Sequence, residues 1–356
     1  MAVSPGVPCC SSTDRSGDPP APQGRSRDHD LNMDPKNHNS MNSRSRLACV
    51  FPGQGSQSVG MLSALALAFP QVLETFAEAS RVLGYDLWAL ASQGPEERLN
   101  QTEFTQPAML AAGVAVWRIW VARGGPVPSV MAGHSLGEYT ALVCADAIGF
   151  TDALRLVADR ARFMQQAVPA GTGGMAAILG LEDEAVAALC AQAAEGEVLA
   201  PVNFNSPGQV VVAGTAAAIR RVVEQAPAAG AKRALALPVS VPSHCVLMHP
   251  AALRMSERLE SVEIRNPRIP VIHNVHVRPE ITAAGIRSAL VRQIESPVRW
   301  TETVLAIVAD GVDRLVECGP GKVLSGLSKR IARNAAALPV HDPESLEQAL
   351  AVARSE

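Results

Sequence analysis

The pentapeptide Gly133-His134-Ser135-Leu136-Gly137 restricts the fold of this chain more than any other feature. An apolar run over residues 129–133 predicts a short strand before it, and residues 138–147 have the composition of a helix. A strand that turns sharply into a helix is typical of α/β folds, and the two glycines permit the turn. The pattern predicts that Ser135 is exposed at a helix N-terminus, where free N–H groups favour a developing negative charge. The alternative is a chance match in an ordinary turn.

Strands and helices alternate along the chain from Leu47 onwards. Residues 47–51 predict a buried strand, and helical periodicity follows over residues 61–83. A second helix is predicted from Pro107, a favourable first-turn residue, to residue 123. Further strands are predicted near Val271 and Leu315. We therefore expect a large α/β domain formed by residues 47–170 and 241–356.

The segment over residues 171–240 has a different order of predicted strands and helices. It predicts strands over residues 175–179, 198–203, 209–213 and 233–239, and helices over residues 182–194 and 216–225. This βαββαβ order is that of a ferredoxin-like unit. We expect a small subdomain inserted in the larger one, with a ligand cleft between the two.

Residues 1–46 differ from the rest of the chain. Ser, Pro, Asp, Asn and Arg dominate them, and no apolar run is present. This composition predicts a disordered tail rather than a targeting peptide. Because Met33 and Met41 lie within it, the true start of the chain stays open.

The overall composition excludes several classes of function. A formal net charge of -3 leaves no basic excess for nucleic acid or an anionic membrane, and no apolar stretch reaches the roughly 20 residues that a membrane helix needs. Seven cysteines, an odd number without CxxC spacing, predict neither a disulfide framework nor a zinc site. We expect a reduced, cytoplasmic protein whose partners are small molecules or another protein.

A serine nucleophile needs a base, normally a histidine within hydrogen-bond reach. His134 adjoins the serine and is better placed to shape the pocket than to remove a proton. Outside the chain ends, the other candidates are His244, His249, His273 and His276. His244 follows a predicted strand over residues 235–241 and a Pro-Ser turn, and such a strand-end position suits a site. A structural role for His244 is the alternative.

Arg160 lies on the apolar face of a helix predicted over residues 151–167, with Thr151 as its cap. The side chains that share this face are Ala153, Leu156, Val157, Phe163, Met164 and Ala167. An inward guanidinium is costly unless an anion meets it, and its planar fork pairs best with a carboxylate. Two explanations stay open, a buried Asp or Glu partner and a ligand that bears a carboxylate.

The loop Pro52-Gly53-Gln54-Gly55 follows the first predicted strand. It resembles a phosphate-binding loop only superficially, because it lacks both GxGxxG and a Gly-Lys-Ser/Thr ending. Its alternative role is to offer a backbone N–H to the oxyanion hole that a Gly-x-Ser-x-Gly site requires.

Five motifs together resemble the malonyl-CoA:acyl carrier protein transacylases of bacterial fatty-acid synthesis. They are FPGQGSQ over residues 51–57, GHSLGE over 133–138, VNFNSPG over 202–208, VSVPSH over 239–244 and ECGPGK over 317–322. The resemblance runs from about Leu47 to the C-terminal region. The chain departs from the more usual pattern at His273 and His276, to which we assign no role.

The resemblance implies a role for each motif residue. Ser135 would be the nucleophile and His244 its base, oriented by the backbone carbonyl of Gln293 instead of an aspartate. Arg160 would bind the free carboxylate of a malonyl group, and the N–H groups of Gln54 and Leu136 would form the oxyanion hole. The implied fold is a hydrolase-like α/β core with a ferredoxin-like insert.

The expected partners are malonyl-CoA and acyl carrier protein, without a metal or cofactor. An acyltransferase of a polyketide pathway stays open, as does a serine esterase, which would release free acid to water. An acidic carrier protein would be attracted by a basic patch at Lys232, Arg233, Lys329 and Arg330, although such residues are usually only solvated surface.

Overall fold

The computed structural model describes residues 46–239 and 241–355, and its strands form two separate sheets. In chain order the strands are β1 (Leu47–Phe51), β2 (Val130–Gly133), β3 (Gly173–Leu179), β4 (Leu199–Ser206), β5 (Gln209–Thr215), β6 (Arg233–Ala236), β7 (Val271–Ile272), β8 (Arg314–Cys318) and β9 (Ala336–Val340). The tail predicted to be disordered lies outside the described residues, apart from Arg46.

The helices connect the strands and cover the sheets. They are α1 (Ser63–Ala68), α2 (Pro70–Leu83), α3 (Leu87–Gln93), α4 (Glu96–Leu99), α5 (Thr102–Ala122), α6 (Gly137–Cys144), α7 (Phe150–Gln166), α8 (Asp183–Ala194), α9 (Ala216–Gln225), α10 (His249–Glu260), α11 (Ala283–Glu295), α12 (Trp300–Ala309), α13 (Val323–Ile331) and α14 (Pro343–Arg354). Among the described residues, no helix is both long and apolar enough to cross a membrane.

The larger sheet has the strand order β7-β2-β1-β8-β9, and every adjacent pair is parallel. Successive side chains of β1 alternate between two apolar clusters: Leu47, Cys49 and Phe51 pack into one, and Ala48 and Val50 into the other. β1 is therefore buried on both faces, as expected for a parallel sheet between helical layers. Because β1 and β2 are parallel, the loops that follow them meet at one edge of the sheet.

The smaller sheet is antiparallel, with the order β4-β5-β3-β6. Helices α8 and α9 pack on one of its faces around a cluster that includes Ile178, Val186 and Val222. The chain order βαββαβ with the first strand beside the third and fourth is ferredoxin-like. The predicted fold class, a hydrolase-like parallel core with a ferredoxin-like insert, is confirmed.

Several predicted element ends were wrong. The helix predicted over residues 61–83 is two helices, because Phe69 is extended before Pro70. Helix α5 begins at Thr102, so Pro107 lies inside it and not in its first turn. The bond that Pro107 cannot make would go to the carbonyl of Glu103, an exposed residue that water can satisfy.

Two further boundaries differ near the predicted site. Helix α7 begins at Phe150 after an extended Gly149, so Thr151 is its second residue and not its cap. The strand predicted over residues 233–239, or over 235–241 before His244, ends at Ala236. His244 is therefore reached through a loop and not directly from a strand end.

Candidate active site

Ser135 occupies a sharp turn between β2 and α6. Its φ of 50° lies in the left-handed region, which residues with a Cβ rarely adopt. The flanking glycines let backbone segments approach each other closely. A Cβ on Gly133 would lie 1.9 Å from the carbonyl carbon of Gly137, and one on Gly137 would lie 2.1 Å from the oxygen of Phe51. The predicted strand-turn-helix is thus present, with the unusual backbone conformation at the serine itself.

His244 lies beside this serine, although 109 residues separate the two in the chain. Its Nε2 is 2.8 Å from Ser135 Oγ, and its Nδ1 is 2.7 Å from the backbone oxygen of Gln293. A carbonyl oxygen can only accept, so Nδ1 carries the proton and Nε2 presents a lone pair to the hydroxyl. The histidine therefore has the tautomer that a general base needs without a carboxylate behind it.

Burial keeps His244 neutral. Loss of solvent, the main cause, and the nearby charge of Arg160 together lower the pKa of His244 to about 3. Its side chain is almost completely enclosed, with the residue 3% exposed. At neutral pH the imidazole is free to accept a proton.

Arg160 projects inward from α7 and is 1% exposed. Its Nη1 donates to Oε1 of Gln106 (2.9 Å), and its Nη2 donates to Oε1 of Gln293 (3.0 Å) and to Ser135 Oγ (3.3 Å). No Asp or Glu of the described residues lies within ion-pair distance of Arg160, and its Nε has no partner among them. Of the two explanations left open by the sequence, this geometry disfavours the buried carboxylate partner.

Gln54 lies in the loop after β1, which packs against the turn at Ser135. The N–H of His134 donates to the oxygen of Phe51 (3.0 Å), and a Cβ on Gly53 would lie 2.4 Å from the His134 oxygen. Within the described part of the chain, the N–H groups of Gln54 and Leu136 have no protein acceptor. Two loops thus bring two free donors to the same cavity.

These side chains line one cavity of about 360 Å³. The residues predicted from sequence that border it are Gln54, His134, Ser135, Leu136, Arg160 and His244. The small sheet and the chain that leaves it contribute Met175, Asn203, Leu237 and Val239 to the same lining. Polar and apolar side chains therefore share one cavity, as expected for a small-molecule site.

Gln293 and His134 differ in their relation to the cavity, since His134 borders it and Gln293 does not. Nε2 of Gln293 donates to the Ser135 carbonyl (2.9 Å) while its Oε1 accepts from Arg160. Nε2 of His134 lies 2.8 Å from Oδ1 of Asn205, and burial lowers the pKa of His134. Direct contact of Gln293 with a substrate stays a prediction.

Sequence reasoning missed three supporting residues. Gln106 is a fully buried partner of Arg160, Asn205 is a partner of His134, and Asn274 accepts from the N–H of Ser135 (2.8 Å). A glutamine between apolar residues of α5 was a detectable signal, since buried polar side chains need a partner. Among the described residues, no cluster of three potential metal ligands occurs.

Comparison with known proteins gives consistent findings. Residues 48–343 match the acyl transferase domain family. A malonyl CoA-acyl carrier protein transacylase of Salmonella typhimurium is 58% identical over 305 residues, which cover 86% of this chain and 99% of that protein. The crystal structure of an acyl carrier protein S-malonyltransferase from Vibrio cholerae is 59% identical with a TM-score of 0.83, covering 85% of this chain and 99% of the other.

One similar solved structure is a complex. It is that of a malonyl-transacylase with its type II PKS acyl-carrier protein, 58% identical with a TM-score of 0.85, and the match covers 86% of this chain and 99% of the other. The match spans the residues that form both the parallel core and the small sheet.

Proposed function

The chain belongs to the acyl transferase domain family, and we propose that it transfers a malonyl group from malonyl-CoA to the phosphopantetheine thiol of an acyl carrier protein. The similarity to malonyl CoA-acyl carrier protein transacylases over almost their whole length supports this activity. The observation that carries the choice of acyl group is Arg160, a buried guanidinium 3.3 Å from the Ser135 hydroxyl, with no carboxylate partner among the described residues.

In the first half-reaction the Ser135 hydroxyl gives its proton to Nε2 of His244 while Oγ attacks the thioester carbonyl. The carbonyl oxygen becomes negative and accepts hydrogen bonds from the N–H groups of Gln54 and Leu136. The C–S bond then breaks, and the CoA sulfur takes the proton from His244. A malonyl ester on Ser135 remains, with its free carboxylate on Arg160.

In the second half-reaction the carrier thiol gives its proton to the same Nε2 and attacks the ester carbonyl. The C–O bond to Ser135 breaks, and Oγ recovers the proton. The acyl group leaves as a thioester, so the reaction consumes no water, and His244 accepts and returns the proton in both halves.

The basic residues noted in the sequence offer a docking surface for an acidic carrier protein. Lys232 and Arg330 are far apart in the chain but line one surface groove with Gly180 and Gly208, beside a single acidic residue, Glu182. Arg233 and Lys329 are their exposed neighbours. Clustered positive charge of this kind speeds encounter with an acidic partner.

A carrier protein of a polyketide pathway is the second candidate acceptor. A malonyl-transacylase 58% identical to this chain forms a complex with its type II PKS acyl-carrier protein. This complex supports the second candidate. The chemistry at Ser135 is the same for both acceptors, so only comparison of carrier proteins as substrates separates them.

We also propose a cytoplasmic location. The five cysteines among the described residues, Cys49, Cys144, Cys190, Cys245 and Cys318, are all free and buried, which suits a reducing compartment.

The test of the proposed activity is the intact mass of the enzyme after mixing with malonyl-CoA alone. The wild type should gain one malonyl group, and Ser135→Ala should gain none. Full acylation of the Ser135→Ala variant would refute the assigned nucleophile. An unmodified wild type with free malonate in solution would instead indicate an esterase.

A further inference from the structure

The backbone of Ser135 is held on both sides by side chains. Its N–H donates to Oδ1 of Asn274 (2.8 Å), and its carbonyl accepts from Nε2 of Gln293 (2.9 Å). Such support is needed because the φ of Ser135, 50°, is costly for a residue with a Cβ. Gln293 is a site residue predicted from the sequence, whereas Asn274 has no assigned role in the reaction.

Strand register brings Asn274 to this turn. β7 pairs in parallel with β2, with Ile272 opposite Ala132, so the chain two residues later lies beside the turn. There Nδ2 of Asn274 donates to the oxygen of Gly133 (2.7 Å) while Oδ1 accepts from Ser135. One amide therefore bridges the peptide groups on either side of His134. At neutral pH an amide side chain presents both a donor and an acceptor in this fixed arrangement, whereas an ionised carboxylate presents acceptors alone.

Glu138 in turn holds Asn274. One carboxylate oxygen accepts from the backbone N–H of Asn274 (2.8 Å), and the other lies 2.7 Å from Nδ1 of His273. Glu138, His273 and Asn274 are each 0% exposed. Glu138, in the first turn of α6, thus contacts the loop after β7. The same loop contacts the turn at Ser135 that precedes α6.

We propose that Asn274, anchored by Glu138, is a positioning residue that sets the conformation of Ser135 and the direction of the Leu136 N–H. Without the amide bridge the turn relaxes, and both the Oγ to Nε2 contact and the oxyanion donor move. Displacements of this kind slow a reaction without removing any group that touches substrate. The inference rests on the proposed acyl transfer for its main assay.

The first test is Asn274→Ala, measured as the single-turnover rate of Ser135 acylation at saturating malonyl-CoA. The rate should fall by about tenfold to a hundredfold, as is common for misplaced catalytic groups. The preference for malonyl-CoA over acetyl-CoA should not change, because Arg160 is not touched. An acylation rate within about twofold of the wild type would overturn the proposal.

His273→Asn is the matched control. It removes a neighbouring buried contact to the same carboxylate but leaves the bridge from Asn274 to Ser135 and Gly133. Both variants should lose thermal stability, while only Asn274→Ala should lose the acylation rate. Equal losses of rate in the two variants would show a general packing effect and overturn the assigned role.

Asn274→Asp separates positioning from space filling by its pH profile. An ionised aspartate has two acceptors and repels the Gly133 carbonyl, whereas a protonated one restores the donor. The acylation rate of this variant should rise as pH falls, and that of Asn274→Ala should not. The same profile for both variants would contradict the bridge.

Labelling of Ser135 by phenylmethylsulfonyl fluoride provides a readout that does not need malonyl-CoA. Its rate should fall in Asn274→Ala and stay near the wild-type value in His273→Asn. If the wild type failed to accept malonyl, the proposed function would fall, whereas an unchanged labelling rate in Asn274→Ala would refute the positioning role alone.

Discussion

At the scale of single residues, the proposed choice of acyl group rests on Arg160. It is the one buried cation that borders the cavity wall among the described residues, and its neighbours Gln106 and Gln293 supply only amide oxygens. An amide dipole compensates a buried charge less well than a carboxylate does. The site therefore gains most from a ligand that brings the missing negative charge.

Arg160→Ala should abolish the preference for malonyl over acetyl. We expect kcat/KM for malonyl-CoA to fall by about a hundredfold, the loss of roughly 3 kcal/mol from charge-assisted hydrogen bonds, with little change for acetyl-CoA. Arg162→Ala, on the exposed side of the same helix, is the matched control and should behave as the wild type. If the ratio of kcat/KM for malonyl-CoA to that for acetyl-CoA stayed at the wild-type level in Arg160→Ala, binding of the malonyl carboxylate by Arg160 would be contradicted.

The pH dependence of Ser135 acylation follows from the low pKa of His244. Because burial and the Arg160 charge lower this pKa to about 3, the base stays neutral, and the rate should stay level from neutral pH down to about pH 5. In Arg160→Ala the positive neighbour is lost, so the pKa rises and the acidic fall in rate moves to higher pH. Labelling by a neutral sulfonyl fluoride across this range is the measurement. A wild-type fall centred near the ordinary histidine pKa would contradict the buried neutral base.

At the scale of elements, the turn between β2 and α6 depends on Gly133 more than on helix propensity. Gly133→Ala should destabilise the protein by at least about 3 kcal/mol, because the added Cβ meets backbone atoms that cannot move away. Gly326→Ala in α13 is the matched control: its Cβ meets nothing within 4 Å. It should stabilise by about 0.5 to 1 kcal/mol through helix propensity. Urea denaturation measures both, and equal midpoints for the two variants would refute the steric argument.

The pattern of the sequence was sufficient for the elements that bury a regular apolar face. β1, the βαββαβ order and the inward direction of Arg160 on α7 all follow from periodicity, which burial dictates directly. The errors fall where local signals mislead. Pro107 looks like a helix start, yet α5 begins at Thr102, and the bond that proline removes is the one to the carbonyl of Glu103, an exposed residue.

The site was predictable only in part for the same reason. The motif around Ser135 is local, so the sequence indicates it, but the pairing of Ser135 with His244 depends on how remote segments pack. Resemblance to a family, not spacing, selected His244 among the histidines. Asn274 reaches Ser135 only through the pairing of β7 with β2, and no pattern within either segment reveals that register.

At the scale of the whole molecule, the cleft between the parallel core and the small sheet must admit a CoA thioester and then a carrier protein. Arg160 is the one cation among the described residues that line the active-site cavity, whereas the groove at Lys232 and Arg330 lies on the outer surface. Acyl recognition and partner recognition are thus assigned to separate charges.

A charge-reversed pair, Lys232→Glu with Arg330→Glu, tests that separation. We expect KM for the carrier protein to rise by about tenfold and to become less sensitive to salt, because the attraction is electrostatic. Acylation by malonyl-CoA should stay within about twofold of the wild type. Arg155→Glu, on the exposed face of α7, is the control and should leave both steps unchanged. An unchanged KM in the charge-reversed variant would place the docking surface elsewhere.

The central claim is that Ser135 carries malonyl from CoA to a carrier thiol. The most direct measurement is the intact mass of holo carrier protein after incubation with catalytic enzyme and an equimolar mixture of malonyl-CoA and acetyl-CoA. The account predicts that the carrier protein gains malonyl and little acetyl, and that Ser135→Ala transfers neither. Unmodified carrier protein with free malonate in solution, or equal malonyl and acetyl on the carrier, would contradict it.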